Sequence, residues 1–103
     1  MPRESPLDRG LAEALAQRLR ELRGGAGLTQ EQVANVAQVN RNHYQLLESA
    51  LSDRAKKTPA NPRLSTLVAL AEVYGTTVPE LVAEIFAATP PRGDAARQPP
   101  RGA

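Results

Sequence analysis

The chain has 103 residues, of which 41% are apolar, 23% charged and 3% aromatic, with no cysteine and a formal net charge of +2. That length suits one domain, and the composition is that of a folding chain rather than a disordered one. The lack of cysteine excludes disulfides, thiolate metal sites and thiol nucleophiles; no apolar run approaches the roughly 18 residues of a membrane span; and Met1 to Gly10 holds no apolar stretch of a signal peptide.

With Tyr44, Tyr74 and Phe86 as the aromatic residues, a core must be built from Leu, Val and Ala, which favours small packed helices. The pattern predicts five. Ser5-Pro6-Leu7-Asp8 supplies an N-cap, a proline at the first helical position and an acid in the first turn. Leu7, Leu11, Leu15, Leu19 and Leu22 then recur at helical spacing, and Gly24-Gly25-Ala26-Gly27 stops this first helix. Thr29 and Gln32 make a capping box for a short second helix that buries Val33, Ala34 and Ala37. After a brief turn, Asn40 caps a third helix with Tyr44, Leu47 and Leu51 facing inward. Asn61-Pro62 reads as the cap and first residue of a fourth helix, carrying Leu64, Leu67, Val68, Leu70, Ala71 and Tyr74 and ended by Gly75. Thr77 caps a fifth, with Pro79 in its first turn and Val78, Leu81, Val82, Ile85 and Phe86 along it, closed by Pro90-Pro91. No stretch alternates with period two for long enough to predict a strand.

Charge is unevenly placed. Arg41, Arg54, Lys56, Lys57 and Arg63 outnumber Glu48 and Asp53 between residues 41 and 63, whereas residues 64–88 hold Glu72, Glu80 and Glu84 and no base. A local basic stretch suits phosphate neutralisation even when the whole chain is nearly neutral, although a solvated loop has the same composition. Residues 89–103 carry four prolines, two glycines and no large apolar side chain, too little to bury, and are expected to be disordered together with residues 1–5. The domain is expected to span 6–88. An enzyme is disfavoured: one histidine, no cysteine, no paired carboxylates with a base and no glycine-rich phosphate loop after a strand. A lone His43 without a second ligand gives no metal site, and no cofactor is expected.

The second and third helices, joined by a tight turn at about 29–49, have the form of a helix-turn-helix. In detail, Gly27-Leu28-Thr29-Gln30-Glu31-Gln32-Val33-Ala34, Val39-Asn40-Arg41, Leu47-Glu48, Asn61-Pro62, Leu67-Val68-Ala69-Leu70-Ala71 and Tyr74-Gly75 together resemble the phage repressor and Cro type of helix-turn-helix, the XRE family. The resemblance covers about Leu15 to Val82. It implies an all-α, five-helix repressor-like domain that binds double-stranded DNA as a homodimer on a pseudo-palindromic operator and regulates transcription, in the cytoplasm with the nucleoid. It further implies base contacts from Arg41, Asn42 and Gln45, since Arg pairs bidentately with guanine and Asn with adenine, and phosphate contacts from Gln30, Asn40 and His43. Arg23 and Glu48 match a pair that ties the first helix to the end of the recognition helix.

Two departures stand out. Gln38 replaces a turn glycine, and Ser49-Ala50 follows Glu48 where the family stops the helix, so that 49–61 is an insertion. Ala50, Leu51, Arg54 and Ala55 are good helix formers, which favours continuing the third helix; Arg54, Lys56 and Lys57 are expected to bind phosphate. Val82 and Phe86, beside the inward Leu81 and Ile85, are the expected dimer stripe, with core closure as the competing role for Phe86. A second function class stays open: a protein-interaction module on the same fold, such as an antitoxin or coactivator bridge, with a protein partner at the tail or the fifth helix. Neither class involves a membrane.

Overall fold

The computed structural model describes residues 9–53 and 55–88. The proposed cap at Ser5, Leu7 of the first stripe, Arg54 and the tail lie outside the described residues. Five helices form, joined by one short ribbon: α1 Arg9–Ala26, α2 Gln30–Ala37, α3 Arg41–Glu48, β1 Leu51–Asp53, β2 Thr58–Pro59, α4 Leu64–Val73 and α5 Val78–Ala88.

In α1 the spacing of Ala12, Leu15, Ala16 and Leu19 sets four buried side chains on one face, with Leu22 partly buried beside them. The helix runs through Gly24 and Gly25, further than the sequence suggested, and stops where Gly27 takes a φ of +70°. Thr29 and Gln32 do form a reciprocal box: Gln32 N donates to Thr29 Oγ1 at 3.0 Å and Thr29 N to Gln32 Oε1 at 2.9 Å. Helix α2 ends at Gln38, whose left-handed backbone (φ 58°, ψ 44°) turns the chain so that Val39 N donates back to Ala34 O at 2.9 Å. Asn40 Oδ1 then accepts from His43 N at 3.1 Å and starts α3.

Helix α3 does not continue into the insertion. Ala50 adopts a φ of +64°, which breaks the helical run despite the good helix formers around it. The chain instead makes a two-stranded antiparallel ribbon in which Leu51 pairs with Pro59 and Asp53 with Thr58. Ala60 N closes its base by donating to Ala50 O at 3.0 Å, and Ala60 is fully buried. Strands of three and two residues are too short to leave a period in the sequence. The return from the ribbon also delays α4. Asn61 is not its cap; Arg63 holds the N-cap position in extended conformation without a side-chain cap bond. Pro62 restrains its predecessor to extended geometry, consistent with a later start.

Thr77 and Glu80 exchange bonds of 3.3 Å at the start of α5. Helix α1 packs on α3 and α5, α2 on α3 and α4, and α4 on α5. Leu15, Leu19, Val33, Tyr44, Leu47, Leu70 and Leu81 fill the centre. Arg18 grips Glu84 with two bonds of 2.7 and 3.2 Å, pinning α5 to α1 at the surface. Leu81 and Ile85 point inward, Val82 is half-buried, and Phe86 is 57% exposed.

Gln38 carries a side chain where glycine is the relaxed choice. Gln38→Gly should therefore stabilise the domain by about 1 kcal/mol in denaturant melts; a loss of stability would show that the Gln38 side chain supports the turn.

Candidate nucleic-acid interface

The α2–α3 pair with its turn at Gln38-Val39-Asn40 presents the first turn of α3 to solvent. Arg41 and Asn42 are exposed there; His43 and Gln45 are half-buried, and Tyr44, Leu46, Leu47 and Glu48 are buried. This is an amphipathic helix with one face in the core and its first turn free. Arg41 lies 3.8 Å from Glu31, a long contact between exposed groups that holds neither in place.

The other end of α3 is held by Glu48, which is 4% exposed. Arg23 of α1 meets its carboxylate through Nε at 2.7 Å and Nη2 at 3.1 Å, a fork on a fork. The Arg23 Nη1 donates to Leu28 O at 3.1 Å, and Arg20 Nη1 to the Glu48 carbonyl at 2.6 Å. Gln30 Nε2, at the first residue of α2, donates to Glu48 Oε1 at 2.9 Å. The Tyr44 hydroxyl shares a hydrogen bond of 2.7 Å with that of Tyr74 at the end of α4. Burial alone would push the Glu48 carboxyl up, but the bonds from Arg23 and Gln30 and the nearby Tyr44 hydroxyl outweigh it and hold the group below the usual carboxylate range. Burial, reinforced by Glu48 and Tyr74, pushes the Tyr44 hydroxyl up. One carboxylate thus ties α1 and α2 to the C-terminal end of α3.

Gln30, read from sequence as a phosphate ligand, commits one amide hydrogen inside the fold, and Asn40 commits its side-chain oxygen to its cap. Two residues beside α3 escaped the sequence reading of the site. Asn61 and Arg63, on the chain returning from the ribbon, line a polar cleft together with Asn40, His43 and Thr66. A base placed just before the fourth helix was the available signal for Arg63. Lys56 and Lys57 are exposed at the ribbon tip and do not line this cleft; the Lys57 carbonyl meets Arg9 at the start of α1. Among the described residues no group of acids and histidines is arranged to hold a metal ion, and no helix is long and apolar enough to cross a membrane.

Residues 14–85 match a family model described as a helix-turn-helix domain. No curated protein and no solved structure matches the chain.

The folded Glu48 carboxyl ionises more readily than the unfolded one, so its contribution is present above the unfolded value and lost as pH falls through the folded one. Arg23→Met removes the cation and leaves a buried carboxylate, costing about 3 kcal/mol at neutral pH. Relative to the wild type, the variant should recover stability on acidification, because Glu48 then folds best when protonated. Melts across pH 3–7 read both slopes; parallel curves would show that the pair does not govern this helix end.

Proposed function

Because the chain belongs to the helix-turn-helix domain family, we propose that it is a sequence-specific transcription regulator of the phage repressor and Cro type. Helix α3 enters the major groove of double-stranded DNA, where Arg41 and Asn42 read base edges and Gln45 reaches one turn further. Gln30, Asn40 and His43 contact phosphate around them, joined by Arg63 from the cleft and by Arg54, Lys56 and Lys57 of the insertion. The observation that carries this reading is the contrast along α3: a free, polar first turn at Arg41 and Asn42 and a last turn locked by Glu48. A reading helix needs both, since side chains must be free to meet bases while the backbone is held at one angle.

One helix-turn-helix reads few base pairs, so the working form is a homodimer spanning two half-sites roughly 34–36 Å apart. The supporting feature is α5, where Val82 and the 57% exposed Phe86 form an apolar stripe beside the buried Leu81 and Ile85. Aromatic anchors are favoured at interfaces, and a C2 contact needs one self-complementary patch. The exposure of Phe86 argues against its closing the core.

Selection of bound sequences from a random DNA pool should return a single motif with two-fold symmetry. Arg41→Ala should relax that motif at one base position and weaken specific binding by about 1–3 kcal/mol; an unchanged motif would remove Arg41 from the reading set. For the assembly, Phe86→Lys should sediment as a folded monomer with a near-native melt and weaker binding to the selected duplex. A mutant that stays dimeric, or a monomeric wild type, would end the α5 interface.

A further inference from the structure

Glu48 locks the last turn of α3, and Arg41 stands about 10 Å further along the axis. A swing of the helix by about 10° about its held end displaces the first turn by about 2 Å, whereas a reading site tolerates about 0.5 Å. The Asn40 cap bond is internal to the helix start. A second attachment comes from Tyr44, one turn before Glu48. Tyr44 is fully buried, and its hydroxyl meets that of Tyr74 at 2.7 Å. Tyr74 closes α4, and the end of that helix sets its direction: Tyr74 N donates to Leu70 O and Ala71 O at 3.2 Å, Gly75 takes a φ of +66°, and Thr76 N returns to Ala71 O at 2.9 Å. Helix α3 packs on α1, α2 and β1, and the two hydroxyls give it a directed bond to α4. Two of the three aromatic residues of the chain meet here. Phenylalanine would fill the same space and bring no hydroxyl to desolvate. What the hydroxyls add is geometry, because a hydrogen bond has a preferred length and angle while apolar contact has no direction.

We propose that Tyr74 is a positioning residue for base readout: through the Tyr44 hydroxyl it sets the angle at which α3 presents Arg41 and Asn42. The proposal rests on the DNA-binding function above and adds to it a residue of α4 that acts without touching DNA. Tyr74 is half-buried and lines a cleft with Leu22, Gly25 and Ala26 of α1, not with the exposed first turn of α3. Tyr44 stands between the two, bonded to Tyr74 and one turn along the helix from Arg41. Loss of either hydroxyl loosens the angle of α3 and leaves every cation of the chain in place. Its effect therefore falls on the base contacts, which need a fixed helix, and spares the phosphate contacts, which need charge. Binding to a read sequence weakens, and binding to random sequence holds.

The test uses the full chain as wild type, Tyr74→Phe, Tyr44→Phe and the double variant, with the duplex recovered by selection and a random-sequence duplex as probes. Tyr74→Phe decides, because it leaves the bonds of Arg23 and Gln30 to Glu48 untouched. It should melt no more than about 8 °C below the wild type, as the loss of one hydrogen bond implies for a domain of this size. The ratio of selected to random-duplex affinity should fall by about twofold to tenfold, with the salt slope unchanged. Both single variants and the double should lose the same amount, since each removes one and the same bond. In the free protein, amide exchange of Tyr74→Phe should quicken along α3 as well as at the end of α4. An unchanged ratio, or an equal loss on both duplexes, would overturn the role of Tyr74. So would a double variant whose loss is the sum of the singles. A melt lowered much further would assign the pair to support of the core and overturn it too. A wild type that prefers no duplex would end both readings, whereas a clear wild-type preference that Tyr74→Phe retains would end this one alone.

Discussion

The architecture depends on one buried charge. Among the described residues Glu48 is the single charged residue that is buried, at 4% exposure. Removing a carboxylate from water costs several kcal/mol, and its neighbours must offset that loss. They do so with a two-bond fork from Arg23 and an amide bond from Gln30. The donors come from α1 and α2, so satisfying the carboxylate fixes where those two helices stand around the end of α3. Such pairs contribute less to stability than an apolar cluster of the same size; what they do contribute is a single orientation.

That orientation matters because α3 has only eight residues. A helix so short has little propensity to stand alone and takes its geometry from what holds its ends. Its first turn is closed by the Asn40 cap, and its last by Glu48 and the turn at Ala50. Between them Tyr44 and Leu47 are sunk in the core, leaving Arg41 and Asn42 outside. Strand β1 of the ribbon packs on the same helix, and the chain after the ribbon lines a cleft with Asn40 and His43.

Much of this was legible in the sequence because the signals were local. Thr29 with Gln32, and Asn40 before a helix, are capping chemistry within three residues, and Gln38 in place of a turn glycine forewarned of a left-handed residue. The inward Leu81 and Ile85 followed from spacing alone. What escaped was set by distant partners. Ala50, Leu51 and Ala55 favour a helix by propensity, but Ala50 is turned into the left-handed region and its carbonyl is taken by Ala60 N. Asn61-Pro62 has the composition of a helix start, yet the path back from the ribbon pushes that start to Leu64. Gln30 looked outward toward phosphate, while its amide reaches a carboxylate 18 residues on. The Tyr44–Tyr74 pair joins positions 30 residues apart that no spacing rule connects. Propensity and capping act over a turn; register between helices is decided by contacts that exist only once the chain has folded.

That a Glu48-anchored α3 is the surface that meets DNA is open to a direct check: amide chemical-shift mapping of the labelled full chain during titration with the selected duplex. The largest changes are expected at Gln30, along Arg41 to Gln45, at Arg63 and at the ribbon tip. The outer face of α4 should stay unmoved, and α3 should remain protected from hydrogen exchange at its C-terminal end. Changes concentrated on α4 and α5, with α3 silent, would contradict this role for α3.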